Sequence, residues 1–474
     1  MRPLIWFRSD LRTEDNTALS EACKRADDGA VAVFTICPSQ WLDKHDWADT
    51  KVDFILRSID SLKDDLAALN IPLRILETPT FAELPDALLG LANAFSCDEL
   101  HFNREYELNE RRRDDEVTST FENAGRTVHA HTDRVIFEPG SVLTKEDKPY
   151  TVFSPFSKTW RQKLGGVGGA QLRETPKKLS SIDVQPSDIP RSVAGFDRDN
   201  GRPDLWEASS KHAKQRLEKF VDERIKAYKD RRDTPGVNGT STLSPYLASG
   251  LLSPRQCLLA AQEAARDAGS GDGPHGWITE LIWREFYQHI MVAFPRVCMH
   301  RSFKPEYDTM QWHDNDEHLD AWKQGRTGFP IIDAAMRQLA QTGWMHNRLR
   351  MIVASFFTKN LFLDWRVGER HFMRSLIDGD LASNNGGWQW SASVGTDAQP
   401  YFRVFNPISQ SQTHDPDGTF IRKFVPELED LDNKAIHEPH AKASMFNQLD
   451  YPEPIVDHKQ TRKEAIEAFK DARR

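Results

Sequence analysis

The apolar positions change their period partway along the chain. Up to about residue 130, short apolar runs alternate with amphipathic stretches: Leu4-Ile-Trp-Phe, Val31-Ala-Val-Phe-Thr-Ile, Leu73-Arg-Ile-Leu and Glu99-Leu-His-Phe are the runs, and Phe54 to Leu66 is one of the helix-spaced stretches between them. Buried strands alternating with helices predict a parallel sheet of the α/β class. From about 138 to 205 the periodicity lapses, and Gly165-Gly-Val-Gly-Gly and Thr175 to Pro190 read as linker. Beyond about 205 helical spacing dominates, most clearly over 208–229, 254–267, 277–293 and 344–360. The expected architecture is a Rossmann-like parallel α/β domain over 1–130, a linker over 131–205 and an all-α domain over 206–474.

Composition narrows the class. A chain of 474 residues exceeds what one core usually serves, and 39% hydrophobic with 28% charged residues is ordinary for a globular protein. No apolar run reaches the length of a membrane helix, and the N-terminal run, broken by Arg8 and Asp10, reads as a first strand and not a secretory signal. Cys23, Cys37, Cys97, Cys257 and Cys298 are odd in number, dispersed and without CxxC spacing. That suits a reducing cytoplasm and speaks against disulfides or a structural zinc. The net charge of −9 rules out a basic coat but leaves room for a local patch. Lys211 to Arg232 carries nine Lys/Arg against four Asp/Glu, which is equally the pattern of a solvated helix face. No GxGxxG follows the first strand, against an ordinary dinucleotide site there.

Candidate chemistry gathers in the helical half, where eight of the 13 tryptophans fall at or after position 277. By itself that count indicates packing. Helical spacing, however, sets Glu280, Trp283, Arg284 and Tyr287 on one face, and a carboxyl beside a large aromatic suits a planar heterocycle. Asn347, Arg350 and Met351 share a face in the same way, and burial there would require polar partners. Asp378-Gly-Asp380, followed by Asn384-Asn-Gly-Gly-Trp388-Gln-Trp390, has two readings. It could bind a divalent metal, as in a nucleotide-sugar transferase, or it could set a carboxylate against Arg350 with Asp380 facing a flavin-like ring. Thr240-Ser241-Thr242-Leu243-Ser244-Pro245 supplies hydroxyls and a Ser-Pro helix start, with Ser244 as N-cap, and is a candidate pyrophosphate cradle.

Longer stretches resemble a known family. WFRSDLRTEDNTAL, NER at 109–111, TSTLSPYL at 240–247, ELIWREFYQHI at 280–290, GFPIIDAAMRQL at 328–339, GWMHNRLRM at 343–351, DWRVGERHFM at 364–373 and LIDGDLASNNGGWQW at 376–390 stand in the order of the photolyase/cryptochrome family. The resemblance is greatest to bacterial class I cyclobutane-dimer photolyases and covers nearly the whole chain. It implies an N-terminal antenna domain, a long linker and a helical domain holding folded FAD. It further implies that Tyr228, Thr240, Ser241, Thr242, Leu243, Ser244, Trp277, Arg284, Arg350, Asp378, Asp380 and Asn384 contact FAD, with Asn384 at N5, where a neutral amide favours the reduced anionic flavin. Glu280, Trp283, Asn347, Met351 and Trp390 would line the pocket for the dimer. Arg232, Arg348 and Arg403 would join Glu280, Trp283 and Asn347 in contacting DNA. Trp388, Trp365 and Trp312 match the family's electron-carrying tryptophans. Asn109 and Glu110 match positions that hold a 5,10-methenyltetrahydrofolate antenna, with a deazaflavin or no antenna as alternatives.

Three positions depart from the pattern: Met299 where folate-type relatives can offer lysine, His45 one residue off register, and Thr242 where some relatives carry arginine. Asn347 stands where (6-4) photolyases carry histidine, which favours the cyclobutane type. The implied activity is splitting of pyrimidine dimers in UV-damaged DNA by a monomer that does not engage membranes. A signalling cryptochrome is the alternative within the family. A metal-dependent transferase or a non-catalytic DNA-binding protein, the alternatives outside it, would be colourless.

Overall fold

The computed structural model describes residues 1–267, 269, 271–442 and 449–472. Each of the four expected apolar runs is a strand, and a fifth follows: β1 (Pro3–Phe7), β2 (Val31–Ile36), β3 (Leu73–Glu77), β4 (Glu99–Asn103) and β5 (Thr127–His131). All neighbours pair in parallel in the order β3-β2-β1-β4-β5. β1, β2 and β4 are buried from end to end; β1 and β2 are the near-continuous apolar runs a parallel sheet calls for, whereas β4 alternates Glu99, His101 and Asn103 with Leu100 and Phe102. β5 escaped the sequence pattern because Thr-Val-His-Ala-His is a half-exposed edge strand with polar residues at alternate positions.

Packing groups the chain into two units, the first made of Met1–Lys226, Ser241–Pro295 and Ile377–Ala382, the second of Ala227–Thr240, Arg296–Leu376 and Ser383–Arg474. The sheet lies in the first unit, together with helices Ser210–Glu223, Pro254–Arg266 and Gly273–Ala293. Gly250 adopts a φ of +72°, and a side chain there would overlap the backbone of Ser9 and Asp10 just beyond β1, so only glycine allows this approach.

Two expectations are corrected here. The linker contains a helix, Phe153–Gly166, whose Phe153, Phe156, Trp160 and Leu164 form one buried stripe. The glycines at its end hid this pattern; residues 167–197 do lack regular structure. The helix expected over 208–229 stops at Glu223. There the start of helix Gly273–Ala293 presses so closely that a Cβ on Gly273 would overlap the carbonyls of Ile225 and Lys226.

Buried charge ties the sheet to the helices of the first unit. Asp133 accepts from Arg12 and Arg255, each at 2.6 Å, and from the Thr17 backbone and hydroxyl at 3.1 and 2.9 Å. Burial alone would raise its pKa, but the two guanidiniums hold the carboxyl well below the usual carboxylate range. Glu285 accepts from Ile136 N at 2.6 Å, Phe137 N at 3.0 Å and Trp160 Nε1 at 2.7 Å, which joins helices Phe153–Gly166 and Gly273–Ala293 to the segment after β5.

In the second unit, helices Pro330–Thr342, Asn347–Lys359 and Trp365–Met373 pack around one apolar core that includes Trp322, Trp365 and Trp388. Helix Asn347–Lys359 begins three residues later than the expected 344, because His346 Nδ1 caps it by accepting from Arg348 N at 3.2 Å. No helix among the described residues is long and apolar enough to cross a membrane.

Glu285→Ala would leave three buried donors unpaired. It should lower the unfolding free energy by about 3 kcal/mol or more in denaturant titrations, and Glu285→Gln, which keeps an acceptor, should lose less. A loss under about 1 kcal/mol in the alanine variant would mean that these donors find other partners.

Candidate functional site

Helix Gly273–Ala293 is buried along most of its length, yet Glu280, Trp283, Arg284 and Tyr287 form a half-exposed stripe at helical spacing, on the face expected from the sequence. Trp277, one turn before Glu280 along the same face, is buried, 4.9 Å from the Phe220 ring. Trp283 stacks on Phe153 with ring centroids 3.6 Å apart and planes within 5°, so the unexpected helix in the linker backs a residue of the candidate substrate wall. Arg284 donates to the Arg134 carbonyl at 2.7 Å.

Near this stripe in sequence, the hydroxyl-rich segment differs from expectation at its cap. Leu243, not Ser244, is the N-cap of the short helix Ser244–Ala248, without a side-chain cap bond, and Ser244 is exposed. Thr242 takes the left-handed conformation with φ +52° and donates to Ser241 O at 2.7 Å. Its Oγ1 also accepts from Arg216 of helix Ser210–Glu223. Arg216 was not singled out from the sequence, and its guanidinium lies against Thr242. Its Nε is buried with no hydrogen-bond partner. The Asp378–Asp380 segment is held by cations from the sheet side of the first unit. Lys51 donates to Gly379 O at 2.7 Å, while Asp380 accepts from Arg134 at 3.2 Å and Gln288 at 3.5 Å.

Asn109 and Glu110 occupy the first turn of helix Leu108–Asn123 and diverge in environment: Asn109 is exposed, whereas Glu110 is nearly enclosed. His45 Nε2 lies 3.2 Å from Glu110 Oε1, so the one-residue offset does not separate them. Trp41 and Trp47 stack at 4.7 Å, and Lys51 sits 3.9 Å over the Trp47 ring. Burial pushes the Glu110 carboxyl up to about 7 and the His45 imidazole down to about 4. Between those values the pair is a neutral acid beside a neutral imidazole.

In the second unit Asn384 Nδ2 donates to Glu369 O at 3.0 Å, which fixes the amide and orients its carbonyl oxygen as an acceptor. Trp365 and Trp388 belong to the core cluster, and Trp312 packs against it, so the three expected tryptophans share one apolar core. Trp322, which the sequence reading passed over, lies 6.1 Å from Trp388. Gly368 is required beside Trp388, since a side chain there would overlap the indole.

Asn347 is exposed and Arg350 and Met351 are half-buried, so this face needs no enclosed polar network; Arg350 donates to Met345 O at 2.9 Å. Arg348 pairs with Asp233 at 2.8 Å, and Arg232 lies 3.8 Å from the same carboxylate, so the two candidate phosphate contacts share one counter-charge. Arg403 is exposed next to exposed Phe402. Tyr228 is buried with Arg232 over its ring, Thr240 and Trp390 are half-exposed, and Met299 is exposed.

A further group went unnoticed in the sequence: Glu99, His101, His129 and His131 emerge on one face of β4 and β5. The signal was present as strand alternation in Glu-Leu-His and His-Ala-His.

The geometry describes an α/β sheet domain joined in sequence to helices that carry aromatic and carboxylate side chains suited to a planar cofactor. Residues 3–177 match the family model described as DNA photolyase, and residues 277–471 match the FAD binding domain of DNA photolyase; the chain belongs to the DNA photolyase family. Over 99% of both chains it is 44% identical to the deoxyribodipyrimidine photo-lyase of Escherichia coli K12. A class III photolyase from Agrobacterium tumefaciens superposes with a TM-score of 0.90 at 33% identity, over 100% of this chain and 98% of that one. A cryptochrome of Synechocystis superposes at 0.84 with 27% identity, over 98% and 99%.

A carboxyl whose folded pKa exceeds its ordinary 4.5 stabilises the fold below that value and loses the contribution as pH rises through about 7. Relative to Glu110→Gln, the parent should therefore lose about 3 kcal/mol of unfolding free energy between pH 5 and 8. Urea titrations at the two pH values measure the difference, and a constant difference would show that Glu110 is an ordinary acid.

Proposed function

We propose that this chain is a light-driven DNA repair enzyme that splits cyclobutane pyrimidine dimers with FAD as its photochemical cofactor. The observation that carries the reading is the Gly273–Ala293 stripe, where Glu280 and Trp283 stay accessible on an otherwise buried helix and Phe153 holds the indole flat.

The residues fit the cofactor. Arg216 has a buried guanidinium nitrogen without a partner beside the Thr240–Ser244 segment, which suits a diphosphate. Tyr228, Trp277, Arg284, Arg350, Asp378 and Asp380 are the remaining candidates for binding FAD. Asn384, tied through Nδ2, presents a carbonyl oxygen to a ring N–H. Bound in its reduced form, FAD would supply light-driven one-electron chemistry for opening the cyclobutane ring, with no net redox change.

The chain's own work is extrusion, positioning and charge stabilisation. A dimer stacked in a duplex is out of reach of an enclosed cofactor and must be flipped out, and its poor stacking lowers the cost; photolyases are a recognised case of such flipping. Arg232, Arg348 and Arg403 contact backbone phosphates, and Asp233 moderates the first two. Trp283 and Trp390 wall the extruded bases, together with Asn347 and Met351. Glu280, as the acid, donates to the dimer carbonyls where negative charge develops. Trp388, Trp365 and Trp312 would relay electrons from an external reductant toward the bound cofactor. Asn109 and Glu110 hold a 5,10-methenyltetrahydrofolate antenna.

The same reading divides the chain in order into an antenna domain (1–130), a linker (131–205) and a FAD- and DNA-binding domain (206–474), and makes it a cytoplasmic monomer. Repair of dimer-containing DNA under blue light separates it from a cryptochrome that only signals.

Glu280→Ala should cut the quantum yield of dimer splitting severalfold while the purified protein keeps its flavin; equal yields in variant and parent would remove Glu280 from this role. Arg216→Ala should do the reverse, lowering the flavin-to-protein absorbance ratio on gel filtration while reconstituted protein still repairs. Unchanged flavin retention would exclude Arg216 from the diphosphate site.

A further inference from the structure

Residues two apart in a strand point the same way, and parallel pairing sets neighbouring strands in step. Glu99 and His101 on β4 and His129 and His131 on β5 therefore share one face, with His101 paired to His129. Glu99 Oε1 lies 3.1 Å from His101 Nε2, and Oε2 lies 3.2 Å from His129 Nε2. One ligand atom from each of the three residues falls within 4.8 Å of the other two. A tetrahedral zinc-type ion about 2.0–2.1 Å from nitrogen and oxygen ligands has ligand-to-ligand edges of about 3.3 Å. The two measured separations are already close to that length.

We propose that Glu99, His101 and His129 form a binding site for a first-row divalent cation, zinc by preference, separate from the flavin chemistry. Two imidazoles and one carboxylate are a borderline donor set of the kind zinc takes, with a fourth position for water. His131 supplies the supporting contact: its Nε2 lies 3.2 Å from His101 Nδ1, so with His101 Nε2 on the ion, Nδ1–H donates to His131 and holds the ring.

Without the ion, Glu99 is served by Arg25, whose Nε and Nη2 lie 2.9 to 3.1 Å from its oxygens. Arg25 ends helix Thr17–Arg25, and its side chain is 44% exposed, so the guanidinium can turn to solvent as the metal takes its place. The consequence is structural. β5 is the edge of the sheet, and an ion shared by Glu99, His101 and His129 clips that edge to β4.

The test uses flavin-loaded protein dialysed against EDTA and titrated calorimetrically with ZnCl2, alongside crystals soaked in ZnCl2 and measured at the zinc edge. We expect one equivalent bound per chain, an anomalous peak among Glu99, His101 and His129, and a rise in Tm with zinc. His129 is 28% exposed, so His129→Ala should fold; it should bind zinc at least about tenfold more weakly and lose the Tm response. The proposal fails if no stoichiometric uptake occurs, if the peak lies elsewhere, or if His129→Ala binds as the parent does. Should that variant not fold, the position of the peak in parent crystals decides alone.

Discussion

A polar group taken out of water must find a partner inside, and the five residues from Asp133 to Phe137 meet that requirement in nearly every direction available to them. Asp133 balances Arg12 and Arg255. Arg134 pairs with Glu105, Glu107 and Asp380, and its carbonyl takes a bond from Arg284. The amides of Ile136 and Phe137 bind Glu285, and the Phe137 carbonyl lies 3.1 Å from His289 Nε2. One irregular segment after the last strand thereby fastens helices Pro254–Arg266 and Gly273–Ala293 to the sheet. Each partner lost would strand another buried charge or donor, so these contacts hold together as a set.

The candidate site inherits its precision from that fastening. Arg284 and the half-exposed stripe around it sit on a helix whose buried side is fixed by Glu285. Asp380 stands where Arg134 holds it, and the neighbouring Gly379 carbonyl is held by Lys51. Functional residues on a rigid, doubly anchored helix lose little entropy on binding a ligand, which is the physical advantage of placing them there. In the second unit the same end is reached by apolar packing: Trp388 fits against the bare backbone of Gly368, and the neighbouring Asn384 is oriented by a main-chain carbonyl.

The reading from sequence was strongest where period and burial agree. Strands β1 to β4 and the helices at 254–267 and 277–293 follow from apolar spacing alone, and so does the grouping of Glu280, Trp283 and Arg284 on one face. It was weakest where a partner distant in sequence supplies the stability. β5 has an edge strand's mixed pattern, helix Phe153–Gly166 is stabilised by Phe286 and Glu285, and the backbone just after helix Ser210–Glu223 lies hard against Gly273. Thr242 shows the same limit in the site itself. Its departure from relatives was visible, while the guanidinium of Arg216 beside it, 26 residues away, was not.

The features legible in the chain are local: the alternation that makes a parallel sheet, the helical faces, and the long stretches that carry the family resemblance. Those properties depend on residues within a few positions of one another, where covalent geometry fixes which side chains point together. Folding in three dimensions supplies the distant pairings: Glu110 with His45, Arg134 with Asp380, Phe153 behind Trp283, and His129 of β5 with Glu99 of β4. These pairings join residues from about 30 to about 250 positions apart. Desolvation creates the demand for a partner at each of them, and the course of the folded chain determines which residue supplies it.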